Sequence, residues 1–201
     1  MDKLLEGYRR FRAKGWPRHE ELYHQLGHGP QTPLACVISC CDSRVDPVSI
    51  FDADPGLLFV VRNVANLVPP FKPGAGLQGT STAIEFAVRQ LKVGVIIVLG
   101  HARCGGIMAA VDGTAGGDSI FLGNWISLVE TAKSRVGESD DLATAVEHES
   151  IKVSLERLME FPFVAAAVQA GQLKLVGARF SIFDGRLELL DQDSGKFQYF
   201  E

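Results

Sequence analysis

The stretch LACVISCCDSR, residues 34–44, decides the fold because it joins a short apolar run to a cluster of reactive side chains. Its apolar part, Leu34–Ser39, predicts a buried β-strand whose carboxyl end opens into a crevice. Side chains of an extended chain alternate between two faces, so Cys40, Asp42 and Arg44 are expected on one face. The stretch therefore predicts a thiol, a carboxylate and a guanidinium together at the end of a strand.

Further strands and helices alternate after this stretch. Leu57–Arg62 predicts a second strand, and the almost wholly aliphatic run Val93–Leu99 predicts a central one. A late strand at Leu173–Ile182 is followed by an Asp-Gly hairpin turn and the returning strand Leu187–Leu190. Helices are predicted over Val48–Ala53, Thr80–Leu91, Gly105–Val111, Ile120–Val136 and Asp141–Glu160. This order predicts an α/β fold: a mainly parallel central sheet with an antiparallel edge strand and helices on both faces.

Two amphipathic segments precede the first strand. Apolar residues recur at helical spacing over Lys3–Lys14 and again over Arg18–Leu26, on either side of Trp16-Pro17. We interpret residues 1–28 as an N-terminal helical arm of a single domain that spans residues 1–201. An arm of this kind commonly embraces a partner subunit.

The composition of the 201-residue chain limits the classes of function. Its net charge of −4 and its sequence pI near 5.7 argue against binding to nucleic acid or to an anionic membrane surface. Its apolar runs fall short of the ~20 residues that a membrane span needs, and its start lacks the pattern of a secretory signal. Four cysteines are too few for a disulfide scaffold. We therefore expect a cytoplasmic protein whose clustered cysteines bind metal or take part in catalysis.

Metal-type ligands follow two of the predicted strands. Cys40 ends the first strand, and His101 and Cys104 follow the strand Val93–Leu99. Zinc binds thiolate and imidazole; a catalytic zinc has three protein ligands and one open position, whereas a structural zinc has four. Because the sequence offers no second Cys or His pair at a suitable spacing, we predict an open zinc site.

Asp42 and Arg44 indicate how such a metal would be used. Held by Arg44, the Asp42 carboxylate can accept a hydrogen bond from a zinc-bound hydroxide and aim the hydroxide at an electrophile. The bare N–H of Gly105, near a predicted helix start, suits an anionic product. Two alternatives stay open: Cys41 replaces Cys40 as a ligand if the strand is rotated, or Asp42 itself ligates the metal once Arg44 releases it.

Together these motifs resemble a known family. Cys-x-Asp-Ser-Arg at residues 40–44, followed by His-x-x-Cys-Gly-Gly at residues 101–106, resembles the signature of the β-class carbonic anhydrases. The stretch FVVRNVANLVPP at residues 59–70 is also similar to that family. This resemblance implies the reversible hydration of carbon dioxide to bicarbonate and a proton, by attack of zinc-bound hydroxide.

The resemblance also implies roles for particular residues. The implied Zn²⁺ ligands are Cys40, His101 and Cys104, and the implied catalytic pair is Asp42 and Arg44. The implied substrate-binding residues are Gln31, Phe59, Val64 and Gly105, with Gln31 reaching the substrate across a dimer interface. The family's unit is a dimer, often doubled to a tetramer, so a homo-oligomer is expected.

Two positions depart from the family pattern. Val37 stands where the branch with a bicarbonate-regulated closed site has Trp, so we expect a plant-like site that is open at neutral pH. Phe180 stands where the family often has Tyr, and its missing hydroxyl removes any proton relay or bicarbonate contact made through that group.

Three other interpretations compete with this one. Residues 74–79 fit the dinucleotide-binding pattern G-x-G-x-x-G, but a Pro-rich segment precedes them where a strand is required. A second interpretation keeps the fold and metal but replaces carbon dioxide with carbonyl sulfide or carbon disulfide. A third is a non-catalytic zinc or redox-sensing protein in which Cys40 and Cys41 respond to oxidants. Asp42 and Arg44 argue against the third, because metal storage needs neither.

Overall fold

A single sheet forms the centre of the molecule. The computed structural model describes residues 1–116 and 118–201. The strands in this part of the chain are β1 (Ala35–Cys40), β2 (Leu58–Asn63), β3 (Val95–His101), β4 (Lys174–Phe180), β5 (Leu187–Asp191) and β6 (Lys196–Tyr199). Their order in the sheet is β2-β1-β3-β4-β5-β6. The first four strands are parallel, and β5 and β6 are antiparallel. The predicted mainly parallel sheet with an antiparallel edge is confirmed.

The antiparallel edge has one strand more than the sequence pattern predicts. β6 pairs with β5 through Leu190 and Phe197 and through Asp191 and Lys196. Asp191 stabilises the connecting turn, because its carboxylate accepts a hydrogen bond from Ser194 Oγ at 2.7 Å. A four-residue edge strand with the sequence KFQY is too short and too polar for periodicity to reveal it.

Helices cover both faces of the sheet. The helices in the described part of the chain, including those of the N-terminal arm, are α1 (Asp2–Arg10), α2 (Trp16–Gly27), α3 (Pro47–Ile50), α4 (Gly79–Glu85), α5 (Gly105–Val111), α6 (Leu122–Ile126), α7 (Glu130–Arg135), α8 (Leu142–Met159) and α9 (Pro162–Gln169). A π-helical turn, Phe86–Gln90, continues α4, and a 3₁₀ turn, Ser127–Val129, joins α6 to α7. In the described ranges, no helix is both long enough and apolar enough to cross a bilayer.

The two predicted N-terminal helices form one helical run. A π-helical turn, Phe11–Gly15, connects α1 to α2, and the Trp16 N–H bonds to the Phe11 carbonyl five residues back. Pro17 then falls in the first turn of α2, where a missing N–H is well tolerated. The wider turn thus accommodates the proline that the sequence pattern treats as a break.

The core is unequal on the two sides of the sheet. On the larger side α4, α8 and α9 pack on the strands through buried residues that include Cys36, Ile38, Ile84, Ile96, Val98, Ile151, Leu158 and Val164. On the smaller side Val37, Leu99 and Ala178 pack against the end of α3. Gly100 permits the close approach of α8, because a Cβ added there would lie 2.7 Å from Ile151 Cδ1.

The strand order places a crevice at one edge of the sheet. β1 lies between β2 and β3, so the chain leaves β1 toward one neighbour and crosses back to the other. In an open parallel sheet, ligands bind at such a switch point, outside the carboxyl ends of the strands. Cys40 is the last residue of β1, opposite Asn63, and His101 is the last residue of β3. The topology therefore brings the predicted ligands to one edge.

Candidate metal centre

Three buried side chains converge at this edge. Cys40 ends β1, His101 ends β3, and Cys104 stands immediately before α5. Their potential ligand atoms all lie within 4.8 Å of one another. Cys40 and Cys104 are sixty-four positions apart in the chain, yet their sulfur atoms are separated by 3.9 Å. Two Zn–S bonds of ~2.3 Å at the tetrahedral angle would separate the sulfurs by roughly 3.8 Å, so the spacing fits a zinc ion.

The imidazole of His101 has the hydrogen bonding expected of a metal-binding histidine. Its Nδ1 lies 2.9 Å from the Ala102 carbonyl oxygen, which can only accept, so Nδ1 carries the proton and Nε2 presents a lone pair. Among the described residues, Nε2 has no hydrogen-bond partner, and the side chain is fully buried. A buried polar atom normally has a partner. An imidazole whose other nitrogen is fixed by a carbonyl is the usual arrangement of a metal-binding histidine.

The two thiols interact directly. The hydrogen bond from the Cys104 thiol lowers the pKa of Cys40, and the same hydrogen bond raises the pKa of Cys104. This hydrogen bond therefore stabilises the thiolate form of Cys40 next to the Cys104 thiol. A divalent cation bound to both sulfurs would displace the thiol proton, because metal ligation requires thiolates.

Asp42 lies beside these three side chains and is held by Arg44. Arg44 Nε donates to Asp42 Oδ1 at 2.9 Å, Nη2 donates to Oδ2 at 2.7 Å, and the Arg44 backbone N–H also reaches Oδ1 at 2.9 Å. These hydrogen bonds hold the pKa of Asp42 well below its usual range. Asp42 Oδ2 is 3.9 Å from His101 Nε2. In this conformation the carboxylate faces the metal position while Arg44 occupies both of its oxygens.

Arg62, which is not among the predicted site residues, shapes the loop that carries this pair. Its guanidinium donates to the carbonyls of Cys40 at 2.9 Å, Asp42 at 2.7 Å and Val45 at 2.8 Å. One arginine on β2 thus fixes the backbone on both sides of Asp42. Its charge directly after the apolar residues LFVV, 58–61, was the available sequence signal.

A strained turn contacts the Cys40 sulfur. The Ala65 N–H lies 3.4 Å from Cys40 Sγ, and Ala65 and its neighbour Asn66 have φ values of 65° and 48°. Left-handed backbone at residues other than glycine is costly and persists where surrounding contacts enforce it. Trp125 supplies one such contact, since its Nε1–H donates to the Val64 carbonyl at 2.7 Å. The turn therefore brings a backbone donor to the sulfur of a potential metal ligand.

A buried ion pair lies behind Cys104. The Cys104 N–H donates to Glu147 Oε1 at 3.2 Å, and Glu147 Oε2 lies 2.8 Å from Arg179 Nη2. Glu147 is on α8 and Arg179 is on β4. Neither residue is among the predicted site residues, because forty-three positions separate Glu147 from Cys104.

The other predicted site residues lie at different distances from this cluster. Gly105 is the first residue of α5, and a Cβ built there would meet no atom of the described chain within 4 Å. Val64 is 37% exposed in the strained turn. Phe180 pairs with His101 on the neighbouring strand. Cys41 is exposed and does not belong to the group of three potential ligands.

Two predicted residues are not brought to the cluster within one chain. Gln31 is exposed in the loop between α2 and β1. Phe59 packs against Phe86, with ring centroids 5.9 Å apart. Phe59 also precedes Asn63, the neighbour of Cys40, by four residues, which places it roughly 13 Å along the strand.

Comparisons with known proteins agree with this geometry. A family model described as carbonic anhydrase matches residues 35–187. The chain is similar to beta carbonic anhydrase 3 of Arabidopsis thaliana, with 34% identity over 202 residues that cover 96% of this chain and 78% of the relative.

Solved structures show the same similarity. The structure of the β-carbonic anhydrase CcaA has a TM-score of 0.89 and 32% identity, and it covers 99% of this chain and 98% of that one. A structure of tetrameric β-carbonic anhydrases from the filamentous ascomycete Sordaria macrospora has a TM-score of 0.81 and 25% identity, over 98% of each chain. The extent of these matches shows that the chain belongs to the β-class carbonic anhydrases, metalloenzymes whose known reaction is the hydration of carbon dioxide.

Proposed function

We propose that this chain hydrates carbon dioxide reversibly to bicarbonate and a proton, with zinc bound to Cys40, His101 and Cys104. One observation carries the proposal: a buried imidazole nitrogen of His101, with no hydrogen-bond partner in the described part of the chain, faces two paired thiols, and a carboxylate held by an arginine lies beside them. Zinc held by three protein ligands keeps a fourth position for water and lowers the pKa of that water toward about 7, which supplies the nucleophile.

Asp42 orients the group at the fourth position. Its pKa is depressed by the Arg44 hydrogen bonds, so it is a carboxylate throughout the neutral range and can only accept hydrogen bonds. Arg44 fixes both oxygens, and the Arg62 bonds fix the backbone on either side. A rigid acceptor of this kind aligns the attacking lone pair without reorganisation during the reaction.

Gly105 and Val64 complete the substrate side of the site in this proposal. The Gly105 N–H lies at the start of α5 beside Cys104, where a backbone donor suits the oxygen of an anionic product. Val64 presents an apolar wall for a linear, apolar substrate. Phe180 offers no hydroxyl, so no proton passes through that position.

The site is proposed to be open at neutral pH. Val37 is fully buried with Leu99 and Ala178, and Asp42 is paired with Arg44. The pKa of Asp42 in the folded protein lies below the ordinary carboxyl pKa. Its pairing with Arg44 is therefore present at neutral pH and is lost only as pH falls through this lower pKa. The Asp42–Arg44 pair therefore does not titrate between about pH 6.5 and 9, a range that brackets the pKa of ~7 of a zinc-bound water.

A second copy of the chain is the proposed partner. Apolar residues of α1 and the following turn form an exposed stripe, 39–73% accessible, that consists of Leu4, Leu5, Tyr8 and Phe11. A groove of about 950 Å³ next to Arg62 and Val64 also exposes apolar side chains, including Leu77, Phe121 and Leu122. Exposed apolar surfaces of this kind commonly mark protein interfaces. A dimer, or a tetramer built from dimers, would cover both surfaces and bring the partner's residues toward Gln31 and Phe59.

We also propose a cytoplasmic location. All four cysteines are free thiols, and two of them are the proposed ligands. A reducing compartment keeps such a dithiol pair available for metal. Fractionation of cells that produce the tagged protein, with the pool of oxidised thiols measured in each fraction, tests this assignment.

The function is tested by stopped-flow measurement of carbon dioxide hydration with a pH indicator, on protein of known zinc content. The measurements run between about pH 6.5 and 9, a range that brackets the pKa of ~7 of a zinc-bound water. Zinc-dependent turnover that is already present near pH 7 is the expected result. Full zinc occupancy without turnover at any pH in this range would refute it. Carbonyl sulfide and carbon disulfide in the same assay distinguish a sulfur substrate from a non-catalytic metal site.

A further inference from the structure

The peptide bond between Arg103 and Cys104 is held from both ends. Its carbonyl oxygen accepts a hydrogen bond from Arg44 Nη2 at 3.2 Å, and its N–H donates to Glu147 Oε1 at 3.2 Å. Arg44 is the partner of Asp42, whereas Glu147 belongs to the buried ion pair on α8. One planar peptide unit therefore links these two pairs.

The orientation of this peptide determines where the Cys104 sulfur lies. Arg103 has a φ of 58°, in the left-handed region that residues other than glycine rarely adopt, and Cys104 returns to φ −65°. A flip of the peptide plane would change ψ of Arg103 and φ of Cys104 together, and with them the direction of the Cys104 side chain. It would also point a carbonyl oxygen at the Glu147 carboxylate, which repels it.

Glu147 is rigid enough to enforce this orientation. Its side chain is 2% exposed, Oε1 accepts from the Cys104 N–H, and Oε2 accepts from Arg179 Nε at 2.9 Å. Arg179 is fixed in turn by Glu188, whose Oε2 lies 2.7 Å from Nη1. Because both oxygens of the buried Glu147 carboxylate have partners, its rotation would leave a donor without a partner.

We propose that Glu147 is a positioning residue for the metal centre, which holds the Arg103–Cys104 peptide so that the Cys104 sulfur faces the metal and the Arg103 carbonyl faces Arg44. The inference rests on the proposed zinc site and deepens it. Glu147 acts through Cys104 and contacts neither the metal nor the substrate.

The chain offers a matched comparison for this role. Glu147 and Glu188 both bind the Arg179 guanidinium, but of these two contacts only that of Glu147 continues to Cys104. In a Glu147→Gln variant the amide presents one oxygen and one N–H group to two donors, so it must lose either Arg179 or Cys104. Glu188→Gln disturbs the same arginine and leaves the peptide of Cys104 in place.

The test measures zinc affinity by chelator competition and the visible spectrum of the cobalt(II)-substituted protein, alongside unfolding of the metal-free protein. For Glu147→Gln we expect zinc affinity to fall about 10- to 100-fold, the range for residues that orient metal ligands, and the cobalt bands to shift. Glu188→Gln should lower the unfolding midpoint without changing the affinity or the cobalt spectrum. Equal losses of affinity in both variants, or wild-type affinity in Glu147→Gln, would refute the inference.

A second variant replaces Glu147→Gln if that variant does not fold, and zinc binding by the wild type separates this inference from the proposed function. If Glu147→Gln does not fold, Glu147→Asp keeps the charge near Arg179 but withdraws it from the Cys104 N–H, and the same loss of affinity is expected. Wild-type affinity in that variant would overturn the role. A wild-type protein that binds no zinc contradicts the proposed function itself, whereas a zinc-binding wild type with an unaffected Glu147→Gln variant contradicts only the inference.

Discussion

The metal centre and the N-terminal helical run are built in opposite ways. At the candidate metal centre three buried potential ligands lie at or just after the ends of two neighbouring strands, and their supporting hydrogen bonds come from the same chain. In the helical run none of the residues assigned to α1 or α2, all of which are described, is buried. The three potential ligands therefore come from one chain, whereas the arm has no buried residues and is proposed to pack against a second copy.

Loss of a metal ligand should have the largest effect. Replacing Cys104 with Ala removes one of three proposed ligands from a buried site, so we expect loss of stoichiometric zinc and of nearly all turnover. Metal analysis of the purified variant measures the first and stopped-flow hydration the second. Cys41→Ala is the control, because Cys41 is exposed and lies outside the ligand group. Stoichiometric zinc in the Cys104 variant would show that the ligand assignment is wrong.

Loss of the Asp42 carboxylate, the proposed hydrogen-bond acceptor, should affect turnover less than loss of a metal ligand. Replacing Asp42 with Asn should preserve zinc and lower kcat about 10- to 100-fold, because an amide paired differently with Arg44 no longer aligns the nucleophile. Asp46→Asn is a matched control in the same loop, since Asn also caps α3 well. A turnover equal to wild type would remove Asp42 from the mechanism.

Removal of the arm should change the assembly more than the metal site. Deletion of residues 1–27 removes the exposed apolar stripe but no metal ligand, so the mass in solution should fall by half or more while zinc is retained. Light scattering coupled to size exclusion measures the mass against the 21.8 kDa of one chain. Leu5→Glu, with Lys3→Glu as its control, tests the same surface with a single change. An unchanged mass for both arm variants would contradict the proposed role of the arm.

The smallest effect is expected from pH on the Asp42–Arg44 pair. The pKa of Asp42 is lowered, so the pair gains its stabilisation above the ordinary carboxyl range and keeps it at neutral pH. Between about pH 6.5 and 9, a range that brackets the pKa of ~7 of a zinc-bound water, kcat should follow the single ionisation of that water. The zinc content should not change over this range. A second ionisation in the wild-type profile that Asp42→Asn abolishes would show that the pair opens within this range.

The sequence predicts much of the candidate metal centre because the potential ligands are polar or reactive residues that stand where an apolar strand segment ends. Cys40, His101 and Cys104 each interrupt or follow an apolar run, and the carboxyl ends of parallel strands meet at one edge. Of the supporting residues, Arg62 is marked only by its charge after an apolar run, and Glu147 has no such mark. Arg62 and Glu147 reach their partners across long sequence separations, so only the folded chain brings them to the ligands.

Other differences have equally local causes. The π-helical turn at Phe11–Gly15 lets the helix continue into Pro17, which periodicity interprets as a break. β6 is too short to give a pattern. Gln31 and Phe59 were assigned from family resemblance, and a single chain leaves them away from the ligands. Their roles stay predictions, and that of Gln31 depends on a second subunit.

A crystal structure of the zinc-loaded protein at pH 7, with data collected at the zinc absorption edge, is the most direct measurement. The predicted result is one zinc peak about 2.3 Å from the Cys40 and Cys104 sulfurs and about 2.0–2.1 Å from His101 Nε2, with Asp42 still bound to Arg44. A zinc ion elsewhere in the chain would contradict the proposed centre. An Asp42 oxygen about 2.0–2.2 Å from the zinc, with Arg44 released, would contradict the open site.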